Sequence, residues 1–159
     1  MAELREVLTA EGFGEVRTLL ATGNVLLDTD ARGGKLEERL ESILADRFGL
    51  KTDVLVRTPA EWARAVEDNP FPDAAKSDPA HLVIMPLKSH PGAGALESLR
   101  SAISGPEEVE VIGDTAYLWY PDDIGHSKLT AAVIDRKLGV RGTGRNWNTA
   151  LKILAAVQA

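Results

Sequence analysis

Apolar positions recur along this chain with two periods, and the alternation between them divides it into elements. Leu4, Val7 and Leu8 stand at helical spacing in residues 2–11, and Gly12 follows as a natural stop, so the chain opens on a helix. Residues 17–20 and 24–28 then read as two short strands, with Ala21-Thr22-Gly23 as the turn between them. Leu36, Leu40, Ile43 and Leu44 return to the helical period in residues 35–48, which Gly49 ends. Val54 and Val56 mark a further strand at 52–57.

The second half follows a similar course. Thr58 caps and Pro59 opens a connecting helix to about residue 66, and the proline-bounded stretch 70–79 reads as a loop. A strand at 81–87, a helix at 93–103 and a hairpin of 108–112 with 115–120 across Gly113-Asp114 come next. A helix at 127–138 and a short strand at 140–143 precede a closing helix at 147–157. In that last helix Trp147, Ala150, Leu151, Leu154 and Ala155 form one stripe, with Asn146 placed as N-cap. The order predicts an α+β fold of two ferredoxin-like βαββαβ halves, the first without its opening strand, plus a C-terminal helix. The expected divisions are residues 1–58 and 80–159, joined by a connecting helix and loop at 59–79. The incomplete N-terminal sheet should present a raw edge, covered by a loop or by a second copy of the chain in a homodimer.

Composition narrows the class. With 159 residues and 44% apolar content the chain can bury a sizeable core, and with no cysteine it has neither disulfides nor thiolate metal sites. No apolar run approaches the roughly 18 residues a membrane span needs, and no signal-peptide pattern opens the chain, so a cytoplasmic protein without membrane partners is expected. His81 and His90 are solitary, so no metal and no cofactor are expected. Net charge is −6 but unevenly spread: from Ile124 onward six basic side chains face one acidic one, a net of +5. That distribution either faces an anion or attracts the acidic remainder of the chain.

The candidate chemistry lies in the same C-terminal stretch. Gly125-His126-Ser127-Lys128-Leu129 and Thr143-Gly144-Arg145-Asn146-Trp147-Asn148-Thr149 each lead a turn into a helix, whose first N–H groups have no intrahelical acceptor. Lys128 and Arg145 stand beside those helix starts, where the macrodipole disfavours cations, a placement that an added anion explains better than local stability does. The expected ligand set is Lys128, Arg145, Ser127, Thr143 and Asn146, with Thr22 and Asn24 approaching from the N-terminal half. Against this, Asn146 reads first as a cap, Trp147 as core, and Thr22-Gly23-Asn24 as a hairpin turn. Asp122 and Asp123 with His126 and Ser127 suggest a triad, but they are neighbours in one turn with no nucleophile elbow around the serine. Whether a reaction occurs is left open.

Taken together, Thr143–Thr149, Tyr120-Pro121 with Ser127-Lys128-Leu129, Thr22-Gly23-Asn24 and Asn69-Pro70-Phe71 resemble the bacterial domain-of-unknown-function family 1697 over essentially the whole chain. The resemblance implies two ferredoxin-like halves and no settled activity. Two features depart from it. The family's usual opening strand has no counterpart before the first helix, which implies a start placed too late or a reduced or altered function. The family's Tyr-Leu-Gln-Ser-Gly-Asn is here Leu19-Leu20-Ala21-Thr22-Gly23-Asn24, without the Tyr and Gln. The favoured function is a site for a small anionic ligand, phosphate or nucleotide-like. Nucleic-acid binding is a weaker alternative, given the −6 charge and 5% aromatic content, and a protein-interaction module with no ligand is the third.

Overall fold

The computed structural model describes residues 2–19 and 23–158. The chain divides into two units, unit 1 comprising Met1–Pro59 and Ile153–Ala159 and unit 2 comprising Ala60–Lys152. Its architecture is mixed α+β, with two small antiparallel sheets among the described residues, one in each unit. Among the described residues no helix is long and apolar enough to cross a membrane.

Unit 1 begins with helix α1 (Ala2–Ala10), the hairpin strands β1 (Gly14–Leu19) and β2 (Asn24–Asp28), and helix α2 (Gly33–Phe48). The helical spacing sets Leu8, Leu36 and Ile43 together with Phe13, and Val25, Leu27 and Val56 pack against that cluster. Helix α2 ends at Gly49 in the left-handed region, φ 63°, a conformation that costs glycine nothing. The N–H of Gly49 donates to Ala45 O and that of Leu50 to Leu44 O.

The strand expected at 52–57 does not form, because its amide edge is taken by side chains. Val54 N–H donates to Glu41 Oε2 and Val56 N–H to Glu37 Oε2, both at 2.8 Å. Glu37 and Glu41 lie one turn apart on α2, and alternate amides of an extended run lie on one side, so the two spacings match. Charge-assisted bonds of this kind stand in for the sheet ladder.

Unit 2 carries α3 (Pro59–Glu67), whose first residue is the unit boundary, then α4 (Pro72–Ser77) and a 3-10 turn at Pro79–His81. The loop expected at 70–79 is therefore partly helical. Pro72 supplies no amide, which costs a helix nothing in its first turn. Asn69 shapes the entry as an Asx turn, its Oδ1 accepting from Phe71 N–H at 3.0 Å. There follow β3 (Leu82–Pro86), α5 (Ala95–Ser101), β4 (Glu108–Ile112), β5 (Thr115–Trp119), α6 (Ala131–Leu138), β6 (Arg145–Asn146) and α7 (Trp147–Gln158), of which the residues from Ile153 onward belong to unit 1. The sheet order is β4-β5-β3-β6, with every neighbouring pair antiparallel. Met85, Leu87, Ala116, Leu118 and Tyr120 meet Leu99, Leu129, Ile134 and Leu138 on one face. The alternate positions Leu82, Ile84 and Tyr117 are fully buried as well. The Tyr117 phenol donates to Ala65 O, and Trp62 Nε1–H to Ala150 O at 3.1 Å.

Three C-terminal boundaries differ from the sequence reading. Helix α6 begins at Ala131 rather than 127, because Thr130 caps it by accepting from Val133 N–H. The strand expected at 140–143 reduces to one bridge, Gly142 with Leu87, and the regular pairing falls at Arg145–Asn146. In α7 Trp147 and Ala150 are buried, but Leu151 is 42% exposed and Ala155 is exposed, so the stripe is narrower than its apolar spacing implies.

Candidate functional site

Strand β5 ends at Trp119, opposite Leu82 where β3 begins, and β6 ends at Asn146, opposite Val83. The loop 121–130 and the start of α7 therefore leave the sheet from the same end, on either side of β3. Within unit 2 this brings the two predicted turns to one end of the sheet.

The loop after β5 is held from inside. Tyr120 N–H donates to His81 O at 2.9 Å, and its phenol donates to Leu129 O at 3.0 Å, tying the two ends of the loop together. Burial, and then the charge of Glu107, push the Tyr120 phenol up to about 12. Ser127 Oγ accepts from Leu129 N–H at 3.1 Å and donates to Glu107 Oε1 at 2.5 Å. With its proton given to a carboxylate, Ser127 is turned away from any anion. It is also not the nucleophile of a triad: His126 Nδ1 contacts Asp123 Oδ2, while the serine hydroxyl donates to Glu107. The His126 bond, aided by the Gly125 N–H, holds the exposed Asp123 carboxyl below the usual carboxylate range.

Sequence reasoning missed Glu107, which reaches Ser127 across twenty residues and so leaves no local signal. Its Oε2 is buried and makes no hydrogen bond among the described residues. Asp78 was missed too. It accepts from Trp119 Nε1–H at 3.0 Å, and its other oxygen lies 2.9 Å from His81 Nδ1, outside hydrogen-bonding geometry.

Lys128 is exposed and forms no ion pair among the described residues. It stands two residues before the α6 cap. Arg145 stands one residue before Asn146, whose Oδ1 accepts from Thr149 N–H at 2.9 Å, as the sequence predicts for an N-cap. The guanidinium is half-buried and donates through Nη1 to Thr143 Oγ1 at 2.8 Å and Gly144 O at 3.0 Å. Burial alone lowers its pKa, and it stays charged throughout the ordinary pH range.

The glycines here are set by packing, Gly144 within the motif, where a Cβ would lie 3.0 Å from Val83 Cγ1, and Gly142 just before it. A Cβ on Gly142 would lie 2.7 Å from both Pro86 O and Leu87 Cδ2, so only glycine lets this segment approach β3. Asn24 donates through Nδ2 to Leu19 O at 3.0 Å within the unit 1 hairpin, a closing role. Thr22 lies outside the described residues. Among the described residues no group of three or more His, Cys, Asp or Glu is placed to hold a metal.

Residues 1–117 match the family described as "Protein of unknown function (DUF1697)". The matched span ends before Tyr120, so both C-terminal turns lie beyond it. A solved structure, a conserved bacterial protein from Streptococcus pneumoniae, shares the fold with a TM-score of 0.78 at 18% identity, over 100% of this chain and 89% of that one. No protein of curated function matches the sequence.

Proposed function

The chain belongs to the DUF1697 family of proteins of unknown function, and from that starting point we propose that unit 2 binds a small anion, a phosphate or nucleotide-like group, at the start of α7. The observation that carries this reading is Arg145. Its half-buried guanidinium is held by Thr143 Oγ1 and Gly144 O directly before a capped helix N-terminus. A fixed fork beside first-turn amides suits an oxyanion, because both its donors and the helix dipole favour negative charge. Thr143 accepts from the guanidinium and keeps its own proton to donate, and Asn146 caps through Oδ1 while its Nδ2 remains a donor. Lys128, exposed before the second capped start at the same sheet end, adds a point charge. The same proposal takes residues 80–159 as a ferredoxin-like half, supported by the β-α-β-β-α-β order and the sheet order β4-β5-β3-β6. It takes residues 1–58 as its counterpart and 59–79 as the connection.

A thermal-shift series with inorganic phosphate, pyrophosphate, nucleoside phosphates and sugar phosphates tests the site. A ligand at 100 times its Kd stabilises the native state by about 2.7 kcal/mol. At least one of these should raise the melting temperature of the parent. Arg145→Ala should abolish that rise, and Lys128→Ala should diminish it while leaving the unliganded melting temperature within the small range of surface substitutions, about 0.5 kcal/mol. A panel that leaves the parent unmoved, or that moves Arg145→Ala equally, contradicts the proposal.

A further inference from the structure

Lys128 is exposed, yet the backbone that carries it is clamped on both sides. Leu129, which follows it, is buried, and its carbonyl accepts from the Tyr120 phenol at 3.0 Å. Ser127, which precedes it, accepts from Leu129 N–H at 3.1 Å and donates to Glu107 Oε1 at 2.5 Å. Glu107 is therefore the outer anchor of the clamp, and the sheet sets its place. The β4–β5 ladder ends with Glu108 opposite Trp119, so the register carries Glu107 to the side of Tyr120, whose phenol feels its charge.

A carboxylate anchored beside a lysine would ordinarily pair with it and cancel the charge that an anion needs. Here the pair does not form: Lys128 makes no ion pair among the described residues. Both oxygens of Glu107 are engaged or enclosed. Oε1 accepts from Ser127, and Oε2 is buried against Gly105, where a Cβ would lie 2.5 Å from it. We propose that Glu107, acting through Ser127, is a positioning residue for Lys128: it fixes the turn that presents the ammonium and, with its own oxygens enclosed, leaves that charge for the ligand. This role rests on the anion site read above at the start of α7, and adds to it a residue that does not touch the anion.

Titration with inorganic phosphate, and amide exchange in its absence, test the site and the clamp separately. Glu107→Ala should weaken phosphate binding about two- to fivefold, the worth of one exposed ion pair, and Lys128→Ala should do the same. The double variant should lose no more than either alone, because both changes remove one interaction. Glu107→Gln keeps an acceptor for Ser127 and should bind at least as tightly as the parent. A carboxylate acting by charge alone would give another order, with both Glu107 variants binding more tightly. Without phosphate, the Leu129 N–H should exchange faster in Glu107→Ala and at the parent's rate in Glu107→Gln. Where Glu107→Ala fails to fold, Ser127→Ala breaks the clamp at its other end and should weaken phosphate by the same factor. Phosphate binding that is unchanged or tighter in Glu107→Ala or Ser127→Ala overturns the positioning role, as does a Leu129 N–H unaffected by Glu107→Ala. A parent that binds no phosphate while Leu129 exchange behaves as expected overturns the anion site, and the role with it, but not the clamp.

Discussion

Tyr117 and Tyr120 are the two tyrosines of the chain, and each has its phenol committed to a backbone carbonyl, that of Ala65 and that of Leu129. Burial pushes both up to about 12, aided by the charge of Asp68 at Tyr117 and of Glu107 at Tyr120. Because the folded values lie above the ordinary 10, the neutral phenols contribute stability in full below pH 10. That contribution falls away as the pH climbs from 10 toward about 12. Absorbance of phenolate should therefore show almost no titration by pH 10.5, and its onset should coincide with loss of tertiary signal. A midpoint near pH 10 in the folded protein would show that the phenols are solvated. At this scale the sequence was informative about type and silent about partners. Asn146 was recognisable as a cap because capping is local, and the N–H that donates to it lies three residues on. Ser127 looked like an anion donor, but its hydroxyl donates instead to Glu107, twenty residues away.

At the scale of elements, helix periods and caps were legible and the weak strands were not. The apolar spacing in α2 and the Gly49 stop both held, because each depends on residues within a turn of one another. The strand expected at 52–57 gave way to Glu37 and Glu41, which no window on that segment contains. Likewise the final strand moved from 140–143 to Arg145–Asn146, since its register is set by β3. Gly142→Ala should cost about 1–3 kcal/mol, the range for overpacking, because the new methyl group meets the Pro86 carbonyl as well as a flexible Leu87 side chain. Trp147→Ala should cost about 3–5 kcal/mol, as its ring is 6% exposed. Denaturant unfolding checks both. A Gly142→Ala midpoint equal to the parent's would mean the segment relaxes away from β3, and an unchanged Trp147→Ala would place that ring outside the core.

Across the whole molecule the net charge of −6 conceals a basic C-terminal stretch, six cationic side chains against one acidic from Ile124 onward. The family match ends at residue 117, so that stretch owes its reading to charge and helix starts rather than to the matched span. Much of what made it look like a site is now seen as scaffold: Tyr120, Ser127 and Leu129 hold a loop, and Gly144 fits against β3. What remains for function is Arg145 before α7, with Lys128 before α6, and the anion they would share should bind more weakly as salt rises. The most direct test is a titration of isotope-labelled protein with inorganic phosphate, read by nuclear magnetic resonance at the Arg145 side-chain N–H and the backbone N–H of Trp147 and Asn148. The account predicts saturable shifts concentrated at these groups and absent in Arg145→Ala. Shifts that never saturate, or that persist unchanged in Arg145→Ala, would contradict it.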